Sequence, residues 1–307
     1  MSNQIDEARI QGFKQGIDIL SQQRGSKLQN SVRNEEQASK MDHYDQISAT
    51  AVVQRTTRHG DTPLVNTPHS RRNITLTDFE WADLIDRQDR LRILNDPANA
   101  YSQNAAFAMG RKKDELILNA FTKAQTTGET ATGGDAPATE VVFGTSSTTA
   151  GTALTVERLM EARTQLLYED DTEEEMFCAL TAYQIAHLLD DSRVASSDYN
   201  TIRALVAGQV DTFLGFKFIQ VASSVNAVTA GSAGAAANTR PVYFWKKSGI
   251  VLATGTGEAG SSARVTERAD KSYSTQIYYC ASYGTARMEE AKVCIGYADD
   301  SSPAAGL

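Results

Sequence analysis

The stretch AYSQNAAFAMGRKKDELILNAFTKA, residues 100–124, has the residue pattern of one long helix. Ala105, Met109 and Leu116 recur on one side of it at helical spacing, and charged side chains fall on the other side. At ~1.5 Å of rise per residue this helix is about 37 Å long. Gly110 in its interior costs about 1 kcal/mol of helix stability, so we expect close packing of another segment to require it. The stretch therefore predicts a long helix along which a sheet can lie.

Downstream of this stretch, helix and strand patterns alternate. After a loop rich in small residues (125–152), VERLMEARTQLLYE (156–169) predicts a helix, MFCAL (176–180) a buried strand and AYQIAHLL (182–189) a short helix. DYNTIRALV (198–206) then predicts a further helix. Such a mixture of helices and strands indicates a fold with both kinds of element around one core.

Strand patterns dominate the remainder of the chain. FLGFKFIQV (213–221) is apolar and close to alternating, which predicts a strand, although Gly215 interrupts it. VYFWKKSGIVLAT (242–254) predicts a hairpin whose turn lies near Lys246–Gly249. The segment 273–298 predicts two more strands.

Residues 49–77, ATAVVQRTTRHGDTPLVNTPHSRRNITLT, have the pattern of a long two-stranded hairpin. AVVQRTT and NITLT alternate like strands, and the Pro-containing segment between them has turn chemistry. A lone two-stranded hairpin is marginally stable in water, so this one needs a partner surface on its own chain or another. Four arginines flank it, and pairing with carboxylates across a protein interface suits them better than phosphate binding, since no aromatic side chains are interleaved. These candidate inter-subunit contacts are Arg55, Arg58, Arg71 and Arg72.

The segments on either side of this hairpin differ in character. Residues 1–48 are polar and rich in Gln and Asn, a composition that cannot bury enough surface to become ordered by itself. We expect an arm that is either disordered or held against another surface, with Phe13 and Ile17 as candidate contacts of a short docking helix. After the hairpin, DFEWADLIDRQDRLRIL (78–94) predicts a helix with Asp78 as its N-cap.

Composition and charge restrict the function. The chain has 307 residues, of which 41% are hydrophobic, as in ordinary globular proteins. A net charge of −8 argues against a protein whose main role is to grip nucleic acid, because that role needs surplus Lys and Arg. Cys178, Cys280 and Cys294 are widely spaced and predict reduced thiols. We expect neither a signal peptide nor a membrane span, since the N-terminus has no apolar core and no run of 18 apolar residues occurs.

The chemical motifs in the sequence are weak. GTGEAG (255–260) matches G-x-G-x-x-G, but the residues after it predict no helix and the acid expected about twenty residues later is absent. The histidines at 59–69 lack the spacing of known metal sites. We expect the acidic run EDDTEEE (169–175) to be a solvated loop and His187 to be a structural histidine. The sequence therefore predicts no catalytic, cofactor-binding or metal-binding residues.

Three short patterns nevertheless follow one another along the chain. A Gly/Arg…Asp run lies in the long helix, a G-x-(V/I)…G-(F/Y)-x-(V/I) entry leads into a later strand, and an aromatic–Gly turn precedes the last strand. The positions are Gly110, Arg111, Asp114, Gly208, Val210, Gly215, Phe216, Phe218, Tyr283, Gly284 and 291–295. In this order the chain resembles the major capsid proteins of tailed bacteriophages, whose fold is named after phage Hong Kong 97. The resemblance covers residues ~40 to 298 by order of parts more than by identity.

The resemblance implies an α+β, Hong Kong 97-like capsid fold with its parts in a set order. The implied parts are an N-terminal arm (1–48), an extended hairpin loop (49–77), a peripheral domain with a long spine helix (78–164), an axial domain with a central β-sheet (165–250) and C-terminal strands that return to the peripheral domain (251–307). On this interpretation Gly215 lies where the backbone turns tightly in the axial sheet. Gly110, Gly208 and Gly284 are likewise implied to serve turns or close packing.

The same resemblance implies a function by assembly. Copies of the chain would form pentamers and hexamers that close an icosahedral shell around double-stranded DNA, which is held as non-specific contents. The implied place is the virion, assembled in the host bacterial cytoplasm, with a portal and a possible decoration protein as further partners. Because 48 residues are too few for a fused scaffold segment, we expect a separate scaffolding protein. Neither catalysis nor a cofactor is implied.

Two alternatives stay open at this point. The same fold builds cellular nanocompartments that carry enzymes, and the genes beside this one would separate that function from a phage shell. A soluble enzyme of unrecognised type would instead need a concave pocket with convergent polar groups and perturbed titrating residues.

Overall fold

Three sheets and three α-helices make up the described part of the chain. The computed structural model describes residues 22–58, 60–62, 64–86, 98–127, 133–135, 139–140, 153–168, 173–190, 212–225, 239–257 and 261–302. The helices are α1 (Ala98–Thr122), α2 (Val156–Tyr168) and α3 (Ala182–Asp190). The strands are β1 (Arg33–Gln37), β2 (Met41–Ile47), β3 (His69–Thr75), β4 (Thr77–Ile85), β5 (Gln125–Thr127), β6 (Gly133–Asp135), β7 (Thr139–Glu140), β8 (Met176–Leu180), β9 (Thr212–Phe213), β10 (Phe216–Gln220), β11 (Thr239–Lys246), β12 (Ile250–Gly255), β13 (Ser261–Arg268), β14 (Ser274–Arg287) and β15 (Val293–Asp299).

The six-stranded sheet has the strand order β7-β15-β11-β8-β10-β9, and its central strands are buried on both faces. Successive side chains of a strand point to opposite faces, so these strands feed two apolar clusters. On β11, Tyr243 and Trp245 belong to one cluster, and Val242 and Phe244 to the other. α1 covers the first face, while α2 and α3 cover the second. This sheet is therefore the centre of the hydrophobic core.

The elements predicted around this sheet are present. α1 corresponds to the long helix expected at 100–124. α2 buries Leu159, Ala162 and Leu166, which lie on one face of the predicted helix. All five residues of β8 are buried, as expected for MFCAL. The helix predicted at 198–206 lies outside the described residues.

The strand predicted at 213–221 is a short hairpin. β9 and β10 pair antiparallel, and Leu214 and Gly215 form the turn between them with φ values of 51° and 82°. Two positive φ values in succession are characteristic of the type I′ turn, which matches the twist of the flanking strands. β10 runs parallel to β8, so this hairpin forms one edge of the six-stranded sheet.

β14 is the strand that organises the five-stranded sheet. Its first part lies between β13 and β4, and its last part pairs with β12, which in turn pairs with β1. α1 lies on this sheet as well, where Met109 packs with Tyr283. The turn expected at Gly284 is wrong, because Gly284 lies within β14. A Cβ atom there would come 2.8 Å from both Ile74 Cγ2 and Thr75 O, so the glycine lets β3 approach β14 closely.

The helix predicted at 78–94 is wrong over its described part, which forms β4. Phe79 and Trp81, two residues apart, both pack on the cluster between β14 and α1, and this is the period of a strand. Asp78, the expected N-cap, accepts a hydrogen bond from Ser282 Oγ at 2.6 Å on the neighbouring strand. Nine successive pairs with β14 outweigh the helical spacing of the apolar residues. The later part of the predicted helix lies outside the described residues.

The hairpin predicted at 242–254 is also wrong. β11 belongs to the six-stranded sheet, whereas β12 belongs to the five-stranded sheet. A 3-10 turn at Lys247–Gly249 separates the two strands at the expected place. The spacing of residues thus indicated the turn, but each strand pairs with partners from distant parts of the chain instead of with the other.

The extended hairpin begins earlier in the chain than predicted. β2 and β3 pair antiparallel over their whole lengths, and the segment AVVQRTT (51–57), which was expected to be a strand, lies in the loop between them. The alternation of MDHYDQI (41–47) provides a better facing strand for β3, because its inward side chains are partly covered. The polar segment 1–48 therefore contains β1 and β2, and its Leu28 and Val32 are fully buried in the core.

Candidate inter-subunit contact surfaces

The middle of α1 holds the first part of the described chain. At Gly110 the helix leaves no room for a side chain, since a Cβ atom would lie 2.4 Å from Gly25 C and 2.7 Å from Ser26 N. Arg111 beside it donates a hydrogen bond to Gln22 Oε1 at 2.6 Å. The missing side chain at Gly110 therefore allows the polar segment to lie directly on the helix.

Asp114, one turn further along α1, fixes the same segment through its carboxylate. The side chain is fully buried, Oδ2 accepts a hydrogen bond from Lys27 N at 3.0 Å, and Oδ1 accepts one from Leu28 N at 3.1 Å. Ser26 Oγ and Gln23 Nε2 donate to the same carboxylate. A buried carboxylate is tolerated only where such donors satisfy it. We call these contacts between α1 and the start of the described chain the N-terminal anchor.

The base of the β2–β3 hairpin is tied to the far end of α1. Arg72 on β3 is buried; its Nη2 donates to both carboxylate oxygens of Glu290 at 2.8 and 2.9 Å, and its Nε donates to Met288 O at 3.2 Å. Arg287 is fully buried, donates to Phe121 O at 2.9 Å and lies 3.5 Å from Glu290. A cation is favourable at a helix C-terminus because it satisfies the last carbonyl groups. We call this set of contacts the root clamp, because it connects the hairpin to α1.

The extended loop, residues 48–68 at the end of this hairpin, is exposed at all of its described residues. Its ends are adjacent, since Ser48 N donates to Pro68 O at 3.1 Å. Val52 is 98% exposed and Leu64 is 93% exposed. Both are large apolar side chains that the rest of the subunit leaves uncovered. The subunit therefore carries a well-anchored hairpin with an uncovered apolar end.

The four arginines predicted as inter-subunit contacts fall into two groups. Arg71 and Arg72 lie on β3 and have partners within the subunit: Arg72 belongs to the root clamp, and Arg71 Nε donates to Asp45 at 2.5 Å. This hydrogen bond lowers the pKa of the Asp45 carboxyl. Arg55 and Arg58 lie in the extended loop, where Arg55 donates to the carbonyl oxygen of Arg58. The loop pair is the better placed of the two for contact with another chain.

The remaining predicted positions are two contacts of the N-terminal arm and two turn glycines. Phe13, Ile17 and Gly208 lie outside the described residues. Gly215 lies in the β9–β10 turn, where a Cβ atom would come 3.1 Å from Met176 Cε in addition to the strain of its positive φ. A contact of Phe13 and Ile17 with a neighbouring subunit stays a prediction, and so does a turn or packing role of Gly208.

His187, the buried cysteines and the GTGEAG motif, which were considered above for chemistry, lie in surroundings that serve the fold. His187 Nε2 lies 3.0 Å from Ser301 O. Cys178 and Cys294 are buried, and burial raises the pKa of both thiols, so they stay neutral and unreactive at physiological pH. The motif GTGEAG is followed by strand β13, where a dinucleotide site needs a helix N-terminus. Within the described ranges, no three His, Cys, Asp or Glu side chains come together as metal ligands.

No helix in the described part of the chain is both long enough and apolar enough to cross a membrane.

The last two residues of the acidic run expected to be a solvated loop make structural contacts: Glu175 Oε1 accepts a hydrogen bond from Lys217 Nζ at 2.5 Å, and Glu174 binds the turn after β11. Glu174 Oε1 accepts a hydrogen bond from Ser248 Oγ at 2.9 Å, Oε2 accepts one from Ser248 N at 3.1 Å, and Lys292 Nζ lies 3.4 Å from Oε1. Burial raises the pKa of Glu174, but these hydrogen bonds and the charge of Lys292 outweigh burial, so that the pKa is lowered. Because Ser248 lies in the turn between β11 and β12, the contact holds the crossing from one sheet to the other.

Sequence reasoning missed several residues that complete the anchor and the clamp. Gln23 and Ser26 bind a carboxylate 91 and 88 positions away, and Glu290 binds an arginine 218 positions away. The available signal was weak: Arg287 and Glu290 are charged residues directly after an apolar strand pattern. Nothing in local spacing indicates that they meet at the end of α1.

Solved phage capsids share this arrangement of sheets around a long helix. The capsid structure of cyanophage P-SCSP1u has a TM-score of 0.71 over 97% of this chain and 95% of that chain, at 13% identity. The capsid of Ralstonia phage GP4 has a TM-score of 0.71 over 95% and 96%, at 12% identity. The acid-stable capsid of Helicobacter pylori bacteriophage KHP30 has a TM-score of 0.65 over 98% of both chains, at 12% identity. No curated protein sequence matches the chain. The fold is thus the α+β, Hong Kong 97-like capsid fold.

The family follows from the sequence. The family described as phage capsid protein matches residues 5–298, and the chain belongs to this family. It is a structural protein, a major capsid protein whose copies form the icosahedral shell of the virion. The nanocompartment and enzyme alternatives are not favoured.

Proposed function

We propose that copies of this subunit form pentamers and hexamers, and that the extended loop of each copy lies over a neighbour in the shell around double-stranded DNA. The observation that carries the proposal is the contrast within the hairpin. Its base is fixed by buried contacts of Arg72, whereas Val52 and Leu64 at its end are more than 90% exposed. Each contact made by such a loop is weak, but closed symmetry repeats it around every ring.

The proposal also assigns the sheets and helices of the subunit to domains. We assign α1 and the five-stranded sheet to a peripheral domain (78–164) joined by returning strands (251–307), and the six-stranded sheet to an axial domain (165–250). β8, β10 and β11 support the axial assignment, and β15 from the C-terminal segment joins them between β11 and β7. Within the N-terminal arm (1–48) and the extended hairpin loop (49–77), β1, β2 and β3 are paired inside the subunit. We assign the contacts between subunits to the remaining parts of these two segments.

Other partners are proposed on the resemblance to the family. They are a portal, a separate scaffolding protein and a possible decoration protein, with assembly in the host bacterial cytoplasm. The net charge of −8 supports DNA as non-specific contents, because a surface that binds phosphate strongly needs surplus cations. No catalytic step is proposed.

The proposal is tested by removing the extended loop while the hairpin is kept. Ser48 and Pro68 are adjacent, so an Asn-Gly turn can join them in place of residues 49–67. Negative-stain microscopy and size-exclusion chromatography would be performed on the protein alone and co-expressed with its genomic neighbours. We expect a folded, soluble subunit that forms no closed shells, while the unaltered chain forms shells of uniform size.

A matched control replaces residues 49–67 by a Gly-Ser segment of equal length. If contacts of the loop side chains drive assembly, this variant also fails, although the reach of the loop is retained. Normal shells from both variants would show that the loop has no role in assembly. Dispersed subunits from the unaltered chain under both conditions would contradict the pentamer and hexamer proposal itself.

A further inference from the structure

The N-terminal anchor carries a surplus of positive charge. Residues 22–31 and α1 together contain five cationic side chains and two carboxylates, in a chain whose net charge is −8. Of the two carboxylates, Asp114 is fully buried and enclosed by hydrogen-bond donors of the segment, and Glu115 pairs with Lys112 at 2.8 Å. The other four cations are Arg24, Lys27, Arg111 and Lys113, and we call them the anchor cations.

The anchor cations lie together and bond to neutral oxygens. Arg111 and Lys113 donate to side-chain amide oxygens of residues 22–31, at 2.6 and 3.2 Å. Lys27 Nζ donates to a backbone carbonyl oxygen at the end of β10 at 2.9 Å. Arg24 and Lys27 are exposed, so they form the outer part of the group. A hydrogen bond to a neutral oxygen orients a cation without cancelling its charge, which stays available to an anion.

This surface lacks the apolar centre of a protein contact. Of the large apolar side chains that the described part of the structure leaves exposed, none belongs to residues 22–31 or to α1. The centre of a protein–protein interface is typically rich in aromatic residues and poor in lysine. Lysine and arginine grouped on one surface are instead the typical ligands of the phosphate backbone of nucleic acids. The composition of the surface therefore favours a phosphate polymer over a protein partner.

We propose that the anchor cations bind the phosphate backbone of double-stranded DNA, and that this surface faces the interior of the shell. The inference rests on the proposed function, which encloses DNA but assigns no surface of the subunit to it. Phosphate contacts carry no sequence information, so the binding is non-specific. It also depends on salt, because each neutralised phosphate releases counterions. Since the rest of the chain is acidic, the contact is confined to this part of the subunit.

The salt dependence of DNA binding tests this assignment. Isolated subunits, kept below the concentration needed for assembly, are titrated into a short fluorescein-labelled DNA duplex, and fluorescence anisotropy gives the binding constant over a range of low salt concentrations. The combined variant Arg24→Gln and Lys27→Gln removes two exposed charges, and circular dichroism confirms that it is folded. We expect weaker binding at low salt and a slope of log K against log salt that is shallower by about two, because about one unit is lost per phosphate contact.

Two control variants separate this surface from a general effect of charge or of structure. Arg163→Gln with Lys271→Gln removes the same charge from exposed positions on α2 and before β14, and should leave the slope unchanged. Arg24→Lys with Lys27→Arg keeps both charges and should also keep the slope. Equal changes in the two glutamine variants, or a loss in the charge-retaining variant, overturn the proposal. Failure of the unaltered subunit to bind the duplex would overturn it as well and assign the cations to a protein partner.

Cross-linking in the shell provides an independent test. DNA-filled shells are treated with formaldehyde, which links lysines to nearby bases, and the peptides that carry nucleotide adducts are identified by mass spectrometry. We expect adducts on Lys27 and Lys113, and fewer on the exposed control Lys271. Shells without adducts on Lys27 and Lys113, or with an equal or greater yield on Lys271, overturn the proposal and leave the proposed function intact. Absence of shells from the unaltered chain would contradict the proposed function instead.

Discussion

The six-stranded sheet and the extended loop differ in how their apolar side chains are covered. Phe244 and Trp245 in the sheet are fully buried within one subunit, whereas Val52 and Leu64 in the loop are almost fully exposed. The sheet is complete in a single chain, and on the proposed function the loop is covered only by another copy. The comparison teaches that the stability of the subunit and the assembly of the shell depend on different residues, which substitutions can separate.

The largest expected effect is on the six-stranded sheet, whose apolar side chains are buried within one subunit. Trp245 stacks on Phe177, packs edge-on against Phe121 and donates from Nε1 to Ser31 O at 2.9 Å. Trp245→Ala removes all of these contacts and should lower the free energy of unfolding of the subunit by about 3–5 kcal/mol. Urea unfolding followed by circular dichroism measures the loss. Trp245→Phe keeps a ring in the core and should cost clearly less; equal losses would contradict the packing argument.

The second effect concerns the N-terminal anchor. Asp114→Ala leaves the backbone N–H groups of Lys27 and Leu28, the second of which is buried, without their acceptor, which should cost about 1.5–3 kcal/mol. Hydrogen exchange should then become faster at these two amides before it changes in β11. Asp114→Asn retains one acceptor oxygen and should show an intermediate effect. Unchanged exchange at residues 27 and 28 would show that the anchor does not hold this segment.

Much of the covered region could be predicted from the sequence, because its patterns are local. The hydrophobic periodicity correctly placed the three helices and β8. Each helix buries one face against the six-stranded sheet, and β8 lies inside that sheet with both faces buried. β4 could not be predicted, because its apolar residues have helical spacing and its partner β14 is nearly 200 positions away. The same reason explains why residues 242–254 predict a hairpin that the structure does not contain: the residues indicate the turn but not the distant strands with which β11 and β12 pair.

The candidate contact surfaces could be predicted only in part. The basic hairpin and the Gly110–Asp114 run were found from residue types and from the family resemblance. The partners that fix them were not, because Gln23 and Ser26 lie in a polar segment whose composition resembles disorder. Their order comes from hydrogen bonds to one buried carboxylate, and no local pattern encodes such a bond.

The third effect tests the turn at the edge of the six-stranded sheet. Gly215 has a φ of 82°, a conformation that costs a residue with a side chain about 1–2 kcal/mol. Gly215→Ala should therefore destabilise the subunit by about this amount, as measured by urea unfolding. Gly215→Asn tolerates positive φ better and should recover part of the loss. If alanine and asparagine behave alike, the loss arises from contact with Met176 rather than from the backbone.

A smaller effect depends on pH and on the crossing between the sheets. The pKa of Glu174 is lower in the folded subunit than its usual value of 4.5, so its contribution to stability is complete above that pH and is lost as the pH falls through the folded pKa. Glu174→Gln should be less stable at pH 7 by at most about 1 kcal/mol, because the contact is partly exposed. Urea unfolding from pH 7 to pH 3 should show the two proteins converging at the acidic end. A difference that persists at pH 3 would contradict the ionic contact.

The smallest expected effect on subunit stability concerns the extended loop. It also tests most directly whether stability and assembly depend on different residues. Leu64→Ala should change the free energy of unfolding of the isolated subunit by less than about 0.5 kcal/mol, because the side chain is 93% exposed. On the proposed function the same side chain is covered in the shell, where its loss weakens each contact by about 1.5 kcal/mol and raises the protein concentration needed for assembly roughly tenfold. Light scattering across a concentration series measures this threshold. Thr62→Ala, in the same exposed loop, changes little apolar area and should leave the threshold in place. If the Leu64→Ala subunit is destabilised, or if its assembly threshold is unchanged, then the loop does not act in assembly independently of subunit stability.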